Sequence, residues 1–453
     1  VNTNAKIVRA TFWTAATYAA SIVLRFGSNV VLSRLLTPET LGVLLIVNTV
    51  RQGIELSSDI GLAQNVVQNK SGGTARFLNT IWVLQILRGV AQSALVFVSA
   101  VWIAGLYNVP VLAFELSAGI LVVGALASTS LFLMHRNMQI ARMSLFEVGV
   151  DAIGASIAIT AALLSPTVTS LLIAAIVSQA MRTLLTHLIG EESNKLQFSR
   201  EYAREILQFG RWIFLSSIVI FLCASFDRLY IGKVAPLALV GIYGLARGLS
   251  DLPAAMVARI GYSVIFPIVS ASQSLARSDA RSKVARVRFA FLLAAASIIA
   301  FCVSFADVVV ALIYDARYHD AAWMLPILLC GVWRAILCSI KEYVLLGFGK
   351  PAYNMIGNII KLIYYVVFLP LAFQAVGMVG IVMVVSGSEV GRYLALAVGQ
   401  KRENFSFIRQ DLIASLLFVA LVALFSWLRL VAGFGTAFST VPLEFGWLLG
   451  RPS

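Results

Sequence analysis

The sequence predicts an all-α polytopic membrane protein, and composition together with segment length supports this fold class. Hydrophobic residues make up 60% of the 453 residues and charged residues 12%, while the mean hydropathy is +0.89. Roughly a dozen apolar segments follow one another along the chain, many of them long enough to cross a hydrocarbon core of about 30 Å. These properties exclude a soluble globular protein. The continuous apolar runs also disfavour a β-barrel, whose strands would be short and alternating.

Twelve spans are predicted, and they form two six-helix bundles. The predicted spans are 10–32, 40–66, 77–106, 112–134, 144–165, 167–189, 209–231, 237–268, 287–313, 321–348, 352–374 and 376–399. A thirteenth span is predicted over 411–433, and a further short apolar stretch follows it. The chain therefore divides into an N-terminal bundle (1–189), a cytoplasmic amphipathic linker (190–208), a C-terminal bundle (209–399) and one or two extra helices in 411–453.

A similarity between the two bundles predicts that they are parallel repeats. The segments LSRLLTPETLGVLLIV (32–47) and LYIGKVAPLALVGIYGLA (229–246) each contain a basic residue, then a turn proline, then a glycine that opens the next span. Both turns are expected at the outer face of the membrane. A repeat of six spans therefore keeps the orientation of every helix.

The Lys and Arg residues of the loops predict a cytoplasmic N-terminus. With this orientation the inner loops hold most of the loop cations, whereas the outer loops hold only Arg34, Arg228, Lys233 and Arg317. An excess of this kind is typical of cytoplasmic loops. It accounts for the net charge of +14 without a nucleic-acid partner.

Neither a metal site nor an enzymatic centre is predicted. The cysteines lie in apolar segments without CxxC or Cys/His spacing, so we expect no metal, disulfide or cofactor; they are Cys223, Cys302, Cys330 and Cys338. The sequence has no Walker-type phosphate loop, which argues against direct use of ATP. It has no hydrolytic constellation either, so the protein is expected not to be an enzyme.

Arginines inside apolar windows are the main functional signal. They are Arg25, Arg51, Arg88, Arg247 and Arg334. An arginine at the centre of a transmembrane helix costs about 3 kcal/mol even on the mildest scale, so these side chains are expected to face a hydrated cavity. The guanidinium group matches phosphate oxygens with a fork of donors. We therefore predict that these residues bind an anionic substrate.

Carboxylates at helical spacing accompany two of these arginines. Arg51, Glu55 and Asp59 follow one another at steps of four residues, which places them on one face of a helix. Arg247 and Asp251 have the same spacing in the eighth span. We assign Glu55, Asp59 and Asp251 to coupling or gating. In the alternative interpretation, these groups only neutralise the arginines as intrahelical ion pairs.

The two halves, the SRLLTPETLG turn after the first span and the GIYGLA segment of the eighth resemble a known superfamily. The chain is similar to the multidrug/oligosaccharidyl-lipid/polysaccharide exporters over about residues 7–430, and within them to Wzx-type flippases of lipid-linked oligosaccharides. The resemblance implies a V-shaped pair of helix bundles with a cationic interior. Related peptidoglycan-precursor flippases depend on arginines in the first, second and eighth spans. Arg25, Arg51 and Arg247 are the nearest positions here by span and approximate depth.

The resemblance implies a monomeric flippase of the bacterial inner membrane that serves exopolysaccharide, capsule or O-antigen synthesis. Its expected partners are undecaprenyl-diphosphate-linked oligosaccharide, membrane lipid and the polysaccharide polymerase machinery. Two alternatives remain open at this point. A cation-coupled multidrug exporter of the same fold would need an anionic cavity. A membrane-embedded glycan polymerase or ligase would be expected to have a larger outer loop than any in this sequence.

Overall fold

The computed structural model describes residues 3–190, 194–271, 277–439 and 441–442, and within these ranges the regular structure is entirely helical. Sixteen α-helices are present there. Nine helices of the described part are long and apolar enough to cross a membrane, or ten when one bent pair is counted as a single span. The predicted all-α, multi-pass membrane class is therefore confirmed.

The first of two compact units is Val1–Phe221. Within it, α1 contacts α7, α4 contacts α5, and α8 packs on both α5 and α7. The helices of this unit are α1 (Thr3–Leu35), α2 (Pro38–Ser57), α3 (Leu62–Gln68), α4 (Ala75–Tyr107), α5 (Val111–Ala125), α6 (Ser130–Arg136), α7 (Ile140–Leu164), α8 (Val168–Ile189) and the first part of α9 (Arg200–Val234).

The second unit is Leu222–Ser453. It holds the rest of α9 and α10 (Leu237–Ala271), α11 (Arg277–Ser304), α12 (Ala306–Ile313), α13 (Ala321–Gly347), α14 (Ala352–Gly387), α15 (Glu389–Arg402) and α16 (Ile408–Val431). α13 contacts α10, α11, α12, α14 and α15, and most of its side chains are buried. Such a central position is expected for a helix whose residues are mostly apolar.

The connection between the units differs from the predicted linker at 190–208. Residues 195–199 are non-helical, and α9 then runs without interruption from Arg200 to Val234. The backbone of the non-helical segment is held by α4, because Lys195 N donates to Asn79 Oδ1 at 2.9 Å and Ser199 N donates to Thr80 Oγ1 at 3.2 Å. Residues 200–208 thus extend the seventh predicted span instead of forming a separate helix.

The predicted second span, 40–66, is broken in the structure. α2 ends at Ser57, and Gly61 adopts a left-handed backbone (φ +66°) before α3 begins. Glycine accepts this conformation because it has no Cβ. Asp59 therefore lies in the break, where its Oδ1 accepts a hydrogen bond from Gly61 N at 3.0 Å. The expectation that Asp59 continues a stripe along α2 is wrong, because the helix ends before it.

The eleventh and twelfth predicted spans form a helical hairpin. α14 contains non-helical residues at Val376 and Gly377, and Gly377 has φ +59°. A Cβ added to Gly357 would lie 2.9 Å from Arg392, and one added to Gly399 would lie 2.7 Å from Tyr353. As the residue number falls from 357 to 353 before the turn, that of the contacting residue rises from 392 to 399 after it. The two segments are therefore antiparallel.

The predicted thirteenth span corresponds to α16, which lies beside α11. Arg288 of α11 pairs with Asp411 at the start of α16, and Arg429 near the end of α16 donates to Ser304 O at the end of α11. From the first pair to the second, the residue number increases on both helices. α11 and α16 are therefore parallel. The apolar stretch proposed as a partial fourteenth span lies almost wholly outside the described residues.

Candidate functional site

A polar cavity of about 680 Å³ lies inside the N-terminal unit. Its size falls within the range of about 300–1,000 Å³ that is usual for ligand sites. α2, α3, α4, α5 and α8 contribute to its wall together with the chain between α5 and α6. Four of the residues predicted from sequence line it: Arg51, Glu55, Asp59 and Arg88.

The charged groups of this cavity wall are balanced. Arg51, Arg88 and Arg182 line it together with Glu55 and Asp59, and Glu147, the partner of Arg182, brings the formal sum to zero. Arg182 was not among the residues predicted from sequence. Its carboxylate partner lies on a neighbouring helix, so no spacing within α8 could have indicated it.

Arg51 retains donors that the protein does not use. Its NH1 donates to Glu55 Oε2 at 3.1 Å, one helical turn further along α2. Its Nε is buried and has no hydrogen-bond partner among the described residues. The Glu55 side chain is 49% exposed and the Arg51 side chain 18% exposed. The intrahelical pair foreseen in the alternative interpretation is therefore present, but it stands at the wall of a cavity.

Arg88 is committed to the end of α2. Its NH2 donates to the carbonyl oxygen of Glu55 at 2.8 Å, and its NH1 donates to Asp59 Oδ1 at 3.4 Å. The last carbonyls of a helix have no partner within that helix, so Arg88 satisfies one of them. This cation of α4 thereby fixes the break between α2 and α3.

Arg182 forms a bidentate ion pair between α7 and α8. Its NH1 and NH2 donate to the two carboxylate oxygens of Glu147 at 2.8 and 2.6 Å. Parallel hydrogen bonds of this kind fix the plane of the guanidinium group. The side chain of Arg182 is therefore held in one orientation at the cavity wall.

The broken span α5–α6 also contributes to the cavity, through Ala127 and Ser128. The two helices meet at an angle of 56°, where the sequence predicts one span over 112–134. Gln85 Nε2 donates to the carbonyl oxygens of Ala125 and Ala127, both at 2.9 Å. Non-helical backbone within a membrane is tolerated where protein groups satisfy it or where it lines a cavity, and both conditions hold here.

Arg25 lies on α1 away from the residues that line this cavity. Its Nε and NH2 donate to the two oxygens of Asp151 on α7 at 3.1 and 3.2 Å. The Arg25 side chain is 67% exposed, whereas that of Asp151 is 16% exposed. The pair is a contact between two helices of the N-terminal unit. A role of Arg25 in substrate binding stays a prediction.

Arg247 of the C-terminal unit stands between two carboxylates. Its Nε is 3.9 Å from Asp227 Oδ2 and 3.5 Å from Asp251 Oδ1. Asp227 is buried and also accepts a hydrogen bond from the hydroxyl of Tyr243, while Arg228 NH2 donates to Asp251 Oδ2 at 3.2 Å. These two arginines and two aspartates sum to zero charge. Asp227 and Arg228 were missed because they lie on α9, not on the helix of Arg247.

Arg334 binds the backbone at the junction of α14 and α15. Its Nε and NH2 donate to the carbonyl oxygen of Ser386 at 3.1 and 2.8 Å, and NH2 also donates to Ser386 Oγ at 2.7 Å. The carbonyls at this helix end need donors from elsewhere. The contact indicates a structural use of this side chain, and its predicted substrate contact is untested.

Two further ionic networks lie inside the C-terminal unit. In the first, Glu389 accepts from Lys361 at 2.6 Å and from Arg392 at 3.3 Å. In the second, Asp411 pairs with Arg288 and with Lys341, whose Nζ is 2.7 Å from Asp411 Oδ2. All three side chains of the second network are at most 3% exposed. Across the described ranges, no group of three His, Cys, Asp or Glu side chains could hold a metal ion.

Comparison with protein families and relatives identifies a consistent group. A family described as "Polysaccharide biosynthesis protein" matches residues 31–323, well over half of the chain. An uncharacterized membrane protein in the cps region of Klebsiella pneumoniae is 24% identical over 386 residues, covering 83% of this chain and 78% of that protein. Lipopolysaccharide biosynthesis protein WzxC of Escherichia coli (strain K12) is 23% identical over 359 residues, covering 78% and 70%.

Two solved structures have the same fold. The lipid II flippase MurJ in an inward closed conformation has a TM-score of 0.71 at 11% identity, covering 93% of this chain and 99% of that one. An inward-facing MATE family multidrug resistance transporter of the MOP superfamily has a TM-score of 0.61 at 15% identity, covering 89% and 98%. The predicted resemblance to this superfamily is confirmed. At these identities the structures show the fold and not the cargo.

Proposed function

Because the chain belongs to the polysaccharide biosynthesis protein family, we propose that it flips polyprenyl-diphosphate-linked oligosaccharide units across the bacterial inner membrane. The name of WzxC refers to lipopolysaccharide biosynthesis, and MurJ, which has the same fold, is a lipid II flippase. Both names support a cargo that combines a lipid with a polar head group. The units would serve exopolysaccharide, capsule or O-antigen synthesis.

The observation that carries the proposal is the polar cavity of the N-terminal unit. A glycan cannot cross hydrocarbon with unsatisfied hydroxyls, because each unpaired polar group costs several kcal/mol. The cavity supplies arginine, carboxylate and amide groups for these hydroxyls, and a guanidinium group at its wall matches the oxygens of a diphosphate. The polyprenyl tail would remain in the surrounding lipid.

Arg51 is our first choice for the diphosphate, because it faces the cavity with donors to spare. Arg25 and Arg247 would bind phosphate after release from their aspartate partners. Arg88 and Arg334, which donate to backbone carbonyls, would shape the cargo path rather than hold the cargo.

We further propose alternating access with the N-terminus in the cytoplasm. This orientation puts the end of α2, and with it the cavity, towards the cytoplasmic side, where lipid-linked units are made. Coupling to an ion gradient is compatible with the fold, since 100 mV supplies about 2.3 kcal/mol per charge moved. Glu55, Asp59 and Asp251, each within reach of an arginine, are the proposed coupling or gating groups.

The test is complementation of a strain in which this gene is deleted. Arg51→Ala should abolish polymer export at normal protein level, and lipid-linked units should accumulate in the cells, as measured by mass spectrometry. Arg51→Lys should restore export only in part, since a point charge lacks the bidentate geometry of guanidinium. Arg76→Ala, which removes an exposed arginine at the start of α4, is the matched control. Normal export by Arg51→Ala would refute the proposed role of Arg51.

The same strain separates the other two functions. A multidrug exporter would change drug susceptibility while polymer stayed normal. A polymerase or ligase would leave single units displayed outside but not joined. Either result in the deletion strain would overturn the proposed flippase function.

A further inference from the structure

We propose that the cavity of the N-terminal unit selects glycans that are uncharged where they contact α2, through side chains that the protein itself leaves unbonded. This inference rests on the proposed flippase function. It concerns the class of sugar that is recognised. The polar side chains of the cavity wall fall into a committed set and a free set.

The committed set is already bonded to the protein. Arg88 and Asp59 bond each other, and Arg182 bonds Glu147. Gln85 bonds the backbone at the α5–α6 break. Gln92 Nε2 bonds Ser58 Oγ at the end of α2. These groups hold the wall in shape, so few of their donors remain for a ligand.

The free set comprises Gln52 and Glu55 of α2, Gln64 of α3 and Gln179 of α8. The three glutamines have no hydrogen-bond partner within the described part of the chain, and Glu55 accepts a single hydrogen bond through one of its oxygens. Gln52 and Glu55 are three residues apart, so they lie on the same face of α2. Three separate helices therefore present free polar groups to one cavity.

The chemistry of the free set matches sugar hydroxyls. Each hydroxyl both donates and accepts, and so does each glutamine amide. A carboxylate can accept from two hydroxyls at once. Leu131 and Phe132 add apolar surface to the same wall, against which the C–H face of a sugar ring can pack.

The charge of Glu55 sets the class of sugar. Its side chain is half exposed and reaches the same space as the free glutamines. A sugar carboxylate placed among these groups would face a like charge, which disfavours binding. Arg51 does not offset this second anion, because it pairs with Glu55 and, in the proposed function, binds the diphosphate of the same cargo. Hydroxyl-bearing or N-acetylated neutral sugars avoid this conflict.

The experiment uses the purified full-length chain in proteoliposomes and three fluorescent polyprenyl diphosphates. One carries a trisaccharide ending in glucose, one carries the same trisaccharide ending in glucuronic acid, and one carries no sugar. Transfer is measured from the fraction protected against external dithionite. The glucose probe should move at least about tenfold faster than the glucuronic acid probe, as expected when like charges are juxtaposed.

Two variants with matched controls locate the selectivity. Glu55→Gln should bring the two glycan probes to similar rates, whereas Glu39→Gln, an exposed carboxylate in the first turn of α2, should keep the difference. Gln64→Leu should slow the glucose probe severalfold without slowing the sugar-free probe. Gln68→Leu, an exposed glutamine on the same helix outside the cavity wall, should change neither.

The possible outcomes distinguish the proposed selectivity from the proposed flippase function. Equal rates for the two glycan probes with the wild-type protein would overturn the selectivity while leaving the flippase intact. Selectivity that survives Glu55→Gln would overturn the role of this carboxylate. Failure of the wild-type protein to transfer any of the three probes would overturn the proposed function and the inference together.

Discussion

Arg51 in the N-terminal unit and Arg247 in the C-terminal unit each have a carboxylate four residues further along their helix, yet their surroundings differ. Arg51 bonds Glu55 at 3.1 Å and otherwise faces an open cavity. Arg247 lies within 4 Å of both Asp251 and the buried Asp227, whose second partner is Tyr243. Arg51 therefore has one carboxylate neighbour at the wall of a cavity, whereas Arg247 lies between two.

The difference between the surroundings of the two arginines comes from neighbouring helices and not from local sequence. α9 brings Asp227 against α10 and balances Arg247. Within the described residues Arg51 pairs with Glu55 alone, and Asp59 of the same cavity wall pairs with Arg88. The same spacing of an arginine and a carboxylate therefore produces a cavity-lining pair in one unit and a cluster of four charges in the other.

The largest effect is expected from the buried charges of the C-terminal unit. Asp411→Ala would leave Arg288 and Lys341 buried without a carboxylate, and breaking a buried pair from one side costs about 3–5 kcal/mol. We expect a strong fall in the thermal unfolding temperature of the purified protein. Asp320→Ala, an exposed carboxylate before α13, is the control. An unchanged unfolding temperature for Asp411→Ala would show that this network does not stabilise the unit.

A smaller effect on stability, with a separable effect on export, is expected at Arg247. Arg247→Gln removes the cation next to buried Asp227 and should cost about 1–3 kcal/mol, reduced by the partial exposure of Arg247. Adding Asp227→Asn should restore most of the stability, because the uncompensated charge is then gone. Thermal unfolding and polymer export are measured for the single and double variants.

The double variant tests whether Arg247 and Arg51 differ in their roles. If Arg247 contributes to cargo binding, export stays low although stability returns. If Arg247 only neutralises Asp227 and Asp251, export returns with stability. The second result would restrict phosphate binding to the N-terminal unit.

Periodicity in the sequence predicted the helical class and the residues that share a helix face. Arg51 and Glu55 lie together on α2 as expected, and Arg88 and Asp59 reach the same cavity. A spacing of 3.6 residues per turn determines such neighbours directly. The arginines stood out because uncompensated charge is costly in an apolar segment.

The contacts between helices could not be predicted in the same way. Arg182 with Glu147, and Arg247 with Asp227, join residues of different helices, so no periodicity within one helix indicates them. The breaks after Ser57 and Ala125 lie inside the predicted spans 40–66 and 112–134, and helical periodicity within each span does not indicate them. Their stability depends on side chains from other helices, such as Gln85.

A moderate effect on stability is expected from substitution of Arg88. Its comparison with Arg51 distinguishes an arginine that holds the cavity wall from one that is proposed to bind the cargo. Arg88→Gln removes a charged donor from the carbonyl of Glu55 and should lower stability by about 1–3 kcal/mol. Arg51→Gln should leave stability nearly unchanged and lower export, since it satisfies no backbone group. Thermal unfolding and export of the two variants are measured side by side. Equal stability would contradict the structural role assigned to Arg88.

The smallest effect on stability is expected from Glu55 itself. Its contact with Arg51 is an i,i+4 pair with a half-exposed carboxylate, and such pairs contribute about 0.3–0.5 kcal/mol. Glu55→Gln should therefore leave the unfolding temperature within error of the wild type. The same substitution should bring the transfer rates of the neutral and acidic glycan probes close together. A group that alters transport selectivity without altering stability acts on the cargo. A large loss of stability would instead make Glu55 a structural partner of Arg51, as Asp227 is of Arg247.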